Sequence, residues 1–328
     1  MTSLLTYILI TVLGPLGLFV LPSGSPGVSR TLDTAQQNVN LALQKLPLSA
    51  EFLAYPARNI PDTRISSDSL PYRKWEVSPP DMNAKSAVVV GAKSGKIFYE
   101  RNMRLRLPIA SLTKLATALS VIEELSLNEE VTVSRHAVNT GGDFGNLVVG
   151  ETLTAHDVLR AMLIASSNDA AVAFAEHVLR TRGKALTELM NAKTHALGLL
   201  QTRFSSVSGL EDRNNYSTAE DLSKLLGTVM HQSALADILK TDAADIHSTD
   251  GRFTHRLITS NKLLGRFDGV VAGKTGYTEG AGGSLAIFAK NEKSDDDFLV
   301  IVLGSANEET RFEDAKTLIT WVNEAYQW

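Results

Sequence analysis

The sequence contains no cysteine. That excludes a disulfide framework, thiolate-held zinc, iron–sulfur clusters, a cysteine nucleophile and a lipid-modified N-terminal cysteine. A basic surplus is also lacking. The 32 Lys+Arg stand against 36 Asp+Glu, a net charge of −4, so nucleic acid, which calls for a basic face, is not an expected partner. The seven histidines are scattered, without HExxH or paired spacing, and no metal or cofactor is expected. Charge is missing altogether from the side chains of the N-terminus, where the first charged residue is Arg30. Residues 4–21 are apolar apart from Thr6, Thr11 and the Gly14-Pro15-Leu16-Gly17 break. A helix lying on a protein surface needs a polar face, and this run has none. Its length falls between a signal h-region and a spanning helix. Residues 1–27 therefore read as a membrane anchor or a signal peptide, and either one places the remainder outside the cytoplasm.

What is present begins with an ordinary globular composition. Hydrophobic residues make up 44% of 328, which excludes wholesale disorder and allows an ample core. Residues 28–83 read as a linker or stalk, because 47–83 holds six of the ten prolines and that density interrupts regular elements. Within it, 31–46 offers only a weak amphipathic helix. Dense patterning starts near Ser86 and defines a domain over 84–328. Strands are expected at 87–90 and 97–99 around a Lys93-Ser94-Gly95-Lys96 turn, and again over 270–274, 284–290 and 298–304. Helices are expected over 112–125, 155–164, 169–179, 184–197 and 308–326. Another should run to about Met230 from a capping box at Ser217-Thr218-Ala219-Glu220. Asp250-Gly251 marks a hairpin turn. Strands at both ends with helices between them predict an α+β fold, a sheet built from chain-distant strands beside a helical lobe.

Three short motifs occur in order. Ser111-Leu112-Thr113-Lys114 opens a helix, and its i, i+3 spacing puts hydroxyl and amine on one face. A serine needs a base to become a nucleophile, and a lysine serves if burial or a neighbouring cation keeps it neutral. The helix start adds free N–H groups where an oxyanion can form. Taken alone, S-x-x-K arises about once by chance in a chain of this size. Ser166-Ser167-Asn168 breaks two helices; alone it reads as an interhelical cap, functionally as a hydroxyl and an amide able to hold a lysine amine and a substrate carbonyl. Lys274-Thr275-Gly276 ends an apolar strand, either as a snorkelling edge lysine or as a cation and hydroxyl for a carboxylate, with the glycine letting a ligand approach. An extended peptide can pair with such an edge. Each motif is weak, and the ordered triplet on helix start, helix break and strand is strong.

From about Lys85 to Trp321 the chain resembles the low-molecular-mass penicillin-binding proteins of the D-alanyl-D-alanine carboxypeptidase type. The resemblance rests on Ala92-Lys93-Ser94-Gly95-Lys96 with Tyr99, Ala110-Ser111-Leu112-Thr113-Lys114-Leu115, Ser166 with Asn168-Asp169-Ala170-Ala171, Ser208-Gly209-Leu210, Tyr216-Ser217-Thr218-Ala219, and Gly273-Lys274-Thr275-Gly276 with Thr278. It implies the penicillin-recognising serine transferase fold. It also implies Ser111 as the acylated serine, Lys114 as its base, Ser166 and Asn168 as the second catalytic motif, and Lys274, Thr275 and Gly276 in substrate binding. The backbone N–H groups of Ser111 and Tyr277 then form the oxyanion hole, and Arg311 matches the family's carboxylate-binding arginine. The implied substrates are peptidoglycan stem peptides, with β-lactams as inhibitors and the N-terminal segment as membrane tether. No C-terminal β-rich domain of the kind many relatives carry is expected, and residues 139–145 lack the serines usual before the second motif.

Two other functions compete. A class A-like β-lactamase needs a carboxylate for its deacylating water, and Glu211, four residues before Asn215, offers one superficially. A non-catalytic wall-binding or β-lactam-sensing module is disfavoured because every candidate catalytic side chain is present. The acidic pairs Glu123-Glu124 and Glu129-Glu130 read as a solvated helix end, and Asp295-Asp296-Asp297 as a hairpin tip.

Overall fold

The computed structural model describes residues 71–142, 145–210 and 214–328. The expected anchor or signal, and residues 28–70 of the expected stalk, lie outside the described residues. Five strands form the main sheet: β1 (Ser86–Gly91), β2 (Ile97–Arg101), β3 (Val270–Thr278), β4 (Gly282–Ala289) and β5 (Phe298–Ser305). Their order is β3-β4-β5-β1-β2, every pair antiparallel. The first hairpin of the domain thus joins the last three strands through β5 and β1, the chain-distant closure expected from the pattern.

Side-chain alternation explains how one sheet serves two cores. Val88, Leu299, Ile301, Leu303 and Ala286 face the helical lobe. Their neighbours Ala87, Val89, Val300, Val302, Leu285 and Ile287 face the C-terminal helix. A sheet covered on both faces needs no polar side, so its strands are continuous apolar runs.

Seven longer helices complete the domain: α1 (Thr113–Glu124), α2 (Ala155–Ile164), α3 (Asn168–Arg182), α4 (Leu186–Ala196), α5 (Ala219–Met230), α6 (Ser233–Leu239) and α7 (Thr310–Ala325). Residues 113–121 of α1 are all buried, which makes α1 the centre of the lobe, packed against α2, α3, α4 and α5. Its buried residues include Thr113, Lys114, Thr117 and Ser120 among the apolar ones, so α1 carries polar groups into the centre of the lobe. α7 covers the other face of the sheet, on β4 and β5. The expected mixed α+β architecture is what the chain adopts.

Three expectations need correction. Residues 71–83 are not stalk. Tyr72–Arg73 pairs with Tyr326–Gln327, the Arg73 guanidinium lies 4.6 Å over the Trp321 ring, and Trp321 Nε1 donates to Ser78 O at 2.7 Å. Prolines restrict this strap to an extended path without preventing it from packing. The cap of α5 is Thr218, whose hydroxyl accepts from Asp221 N at 3.1 Å; Ser217 is instead in a two-residue ribbon with Leu107. Glu129 is not simply solvated, since its carboxylate accepts from Arg182 at 2.8 Å and meets His177 Nε2 at 2.9 Å. The Asp295–Asp297 run does lie in the β4–β5 hairpin connection, as expected, and it also ties that turn to a second one, with Asp296 accepting from Lys93 N at 2.8 Å and Asp297 from Asn291 N at 3.1 Å.

Candidate active site

The three motifs converge where the β3 edge meets the lobe. A 3₁₀ turn over Ala110–Leu112 delivers the chain into α1, and Ala110 takes φ +47° there, a left-handed conformation costly for a residue with a side chain. The turn carries Ser111, and α1 periodicity returns Lys114 to the same face. Lys114 Nζ stands 2.7 Å from Ser111 Oγ, 2.7 Å from Asn168 Oδ1 and 2.9 Å from Ser208 O. Lys114 has 0% of its surface exposed. An ammonium donates to all three oxygens; a neutral amine donates to Asn168 and Ser208 and turns its lone pair to the Ser111 hydroxyl. The geometry therefore accommodates both protonation states without rearrangement, as a proton acceptor requires.

Asn168 opens α3, and its amide is oriented from behind: Nδ2 donates to Gly141 O at 2.9 Å, which turns Oδ1 to Lys114. Gly141, in the 139–145 segment, thus borders the cleft. A Cβ at Gly142 would come within 2.6 Å of Asn168 Nδ2, so a glycine is needed for this close approach. The buried Asp169 carboxylate holds the following stretch, accepting from Gly145 N at 3.0 Å and Leu147 N at 3.3 Å.

Ser166 adopts φ +63° at the break between α2 and α3. Lys274 Nζ donates to its Oγ at 2.9 Å and to Thr275 O at 3.0 Å. Lys274 does not snorkel, for only 1% of its surface is exposed. Thr275 Oγ1 lies 2.5 Å from Ser260 Oγ. At Gly276 an added Cβ would meet Ile109 O at 2.9 Å and Ser111 N at 3.0 Å, so β3 runs directly against the serine turn. Tyr277 follows with its side chain partly exposed. Arg311, in the first turn of α7, is buried, and its Nη1 donates to Gly276 O at 2.8 Å.

All the candidate residues are therefore brought together. Three further groups join them. Ser208 O and Gly141 O are backbone carbonyls, which carry no side-chain signature; the glycines beside them were the available signal. Ser260 is a single hydroxyl in a turn and had none. Among the described residues, no cluster of His, Asp or Glu is placed to hold a metal. Glu211, on which a β-lactamase reading depends, lies outside the described residues.

A sheet beside a helical lobe, with a buried serine–lysine pair at their junction, defines the class: the penicillin-recognising serine transferase fold. The comparisons narrow it. The family pattern for D-alanyl-D-alanine carboxypeptidases matches residues 73–307, and the chain belongs to that family. It is 31% identical over 250 residues to the carboxypeptidase DacF of Bacillus subtilis, covering 74% of this chain and 63% of that one. It is also 31% identical over 245 residues to a D-alanyl-D-alanine endopeptidase of Pseudomonas aeruginosa, covering 74% and 78%. A crystal structure of a D-alanyl-D-alanine carboxypeptidase from Mycobacterium tuberculosis superimposes with a TM-score of 0.69 at 27% identity, covering 76% of this chain and 95% of that one. The chain thus spans under two thirds of DacF and most of the other two.

Proposed function

We propose that this protein is a serine-type D-Ala-D-Ala carboxypeptidase that removes the terminal D-alanine of peptidoglycan stem peptides through an acyl-enzyme on Ser111. The observation that carries the reading is the 2.7 Å approach of the buried Lys114 amine to Ser111 Oγ. In the first half-reaction Ser111 Oγ attacks the carbonyl of the D-Ala–D-Ala bond and its proton passes to Lys114 Nζ. The developing oxyanion is met by the N–H groups of Ser111 and Tyr277, an arrangement whose single donors are commonly worth about 10²–10³ in rate. The C–N bond then breaks, and the proton taken by Lys114 is relayed to the departing amine through the Ser166 hydroxyl, which Lys274 holds at 2.9 Å, so that Lys114 is neutral again and Ser166 keeps its proton. Water attacks the ester in the second half, with Lys114 again taking the proton and handing it to Ser111 Oγ as the acyl–oxygen bond breaks, which restores the free serine. Asn168 holds Lys114 and offers its amide to the substrate backbone. Lys274 and Thr275, midway along β3, and Arg311 supply positive charge and a hydroxyl where the free carboxylate of the leaving residue would lie, and Gly276 lets the peptide run along the edge.

β-Lactams acylate Ser111 in the same way and act as inhibitors. The substrate lies outside the cytoplasm, and residues 1–27 tether the enzyme to the membrane or direct its export. A second reading, cleavage of cross-links, is supported by the endopeptidase relative, which is as similar to this chain as DacF and more fully covered by it. Incubation with a pentapeptide ending in D-Ala-D-Ala and, separately, with a cross-linked dimer tests both, with products read by mass. Release of D-alanine from the pentapeptide supports the first reading. Cleavage of the dimer alone supports the second, and no product from either, with no penicillin adduct on Ser111, defeats both.

A further inference from the structure

Arg311 is expected, by resemblance, to grip the substrate's terminal carboxylate. Its position suggests additional work. Only 5% of its surface is exposed, and Nη1 is engaged by Gly276 O at 2.8 Å. We infer that Arg311 is a positioning residue for the oxyanion hole: it fixes the Gly276–Tyr277 peptide plane so that the Tyr277 N–H faces the serine turn. The inference rests on the acyl-enzyme reading above and adds to it.

The argument is one of peptide geometry. No described peptide bond is cis. In a planar trans peptide, the carbonyl of one residue and the N–H of the next point in opposite directions. A hydrogen bond that holds Gly276 O on one side therefore aims Tyr277 N at the other. The acyl-enzyme reading puts that other side in the cleft, and β3 does run against the serine turn here, since a Cβ at Gly276 would stand 3.0 Å from Ser111 N and 2.9 Å from Ile109 O. β3 is the edge strand of the sheet, so its outer groups lack a neighbouring strand to fix them. A glycine ahead of the donor makes the plane easier to rotate, since Gly276 resists little on its own. The register supports the same assignment. Tyr277 is paired with Gly283 of β4, and a Cβ at Gly283 would come within 3.1 Å of Arg311 Cβ. The arginine stem lies against the sheet at a rung where a residue without a side chain leaves room.

A carboxylate grip and a peptide pin differ in what they need from the substrate. The grip needs a free chain end, whereas the pin serves any acyl donor. Two variants are read in the full chain. Arg311→Met keeps the stem and deletes the donor, and Arg311→Lys keeps a charged donor of similar reach. Acylation rates are measured with a D-Ala-D-Ala peptide, with the same peptide amidated at its C-terminus, and with a penicillin. The infrared carbonyl stretch of the penicilloyl ester on Ser111 reports how strongly the oxyanion hole polarises it. Arg311→Met is expected to lose up to about 10²-fold in acylation rate on the amide, the scale of one oxyanion donor, and more than that on the free acid, which also loses its carboxylate partner. Its ester stretch should move to higher wavenumber, and Arg311→Lys should recover most of both. A loss confined to the free acid, with an unshifted stretch, overturns the inference and leaves the carboxylate grip. Should Arg311→Met not fold, the same comparison in Arg311→Lys decides, because a residual defect there must fall either on both substrates or on the acid alone. Failure of the wild-type protein to acylate at Ser111 is a different outcome, which refutes the functional reading itself.

Discussion

Removing the amine at position 114 is the sharpest perturbation of the proposed chemistry. Lys114→Met keeps the length and volume of the side chain and deletes the proton acceptor 2.7 Å from Ser111 Oγ. General-base assistance is typically worth about 10²–10⁴ in rate, or about 3–5 kcal/mol at 1.36 kcal/mol per tenfold. The stability cost is of another size. Asn168 Oδ1 and Ser208 O each lose a donor, at about 1–3 kcal/mol for an acceptor left unsatisfied. Burying an apolar side chain in place of a polar amine offsets part of that loss, and each kcal/mol that remains lowers the melting temperature by about 2–4 °C for a domain of this size. Lys114→Arg should fail as completely as the methionine variant, because a guanidinium stays protonated at neutral pH. Stopped-flow labelling with a fluorescent penicillin gives the acylation rate, and thermal unfolding gives the stability. Acylation by Lys114→Arg at the wild-type rate would refute the assignment of Lys114 as base.

Three other outcomes follow from the geometry. Gly276→Ala should slow acylation at least tenfold, since its methyl must force β3 away from Ile109 O and Ser111 N; the same penicillin assay checks it. Ser260→Ala removes the hydroxyl that holds Thr275 Oγ1 at 2.5 Å, and one hydrogen bond of about 1 kcal/mol should raise KM several-fold for free-acid peptides and hardly at all for amidated ones. The Glu129 carboxyl is held below its ordinary pKa chiefly by the hydrogen bond with His177, with Arg182 assisting. A depressed carboxylate stabilises fully above its unfolded pKa and loses that contribution as pH falls through the lowered folded value. Glu129→Gln should therefore be less stable at neutral pH, with a difference from wild type that shrinks on acidification, as denaturant midpoints measured across pH would show.

Much of the fold was legible because its cores are periodic. The strands β1, β4 and β5 are apolar runs bounded by turn residues, and α2 ran over 155–164, as its periodicity predicted. Cap chemistry was readable in kind but not to the residue: the Thr218 hydroxyl caps α5 because the chain enters the helix from a ribbon that already uses Ser217. The elements that escaped notice are short and depend on partners. The ribbon of Glu130–Thr132 with Thr152–Thr154 has three residues a side, too few for a period to emerge. The strap at 71–83 was misread because proline density reports only what a segment cannot form. Where it docks is set by Trp321 and Asp314, more than 200 positions away, through Ser78 O and Asn83 N.

The site was legible in its side chains and not in what orients them. Serine, lysine and asparagine at fixed offsets announce themselves, whereas the carbonyls of Ser208, Gly141 and Gly276 that fix Lys114, Asn168 and Arg311 belong to every residue alike. Local propensity also opposes the site at two positions. Ala110 and Ser166 hold positive φ without being glycine, at about 1–2 kcal/mol each. Both conformations are over-determined by buried neighbours. The backbone at Gly209 sits against Ala110 O, with φ +85° of its own, and Lys274 Nζ fixes Ser166 Oγ. Strain of this kind persists only where the surroundings enforce it. In this protein it falls one residue before Ser111 and on the hydroxyl that faces the second lysine. A relaxed backbone at either point would turn Ser111 or Ser166 out of reach of its amine, so the conformational cost and the two lysine contacts arise from the same packing.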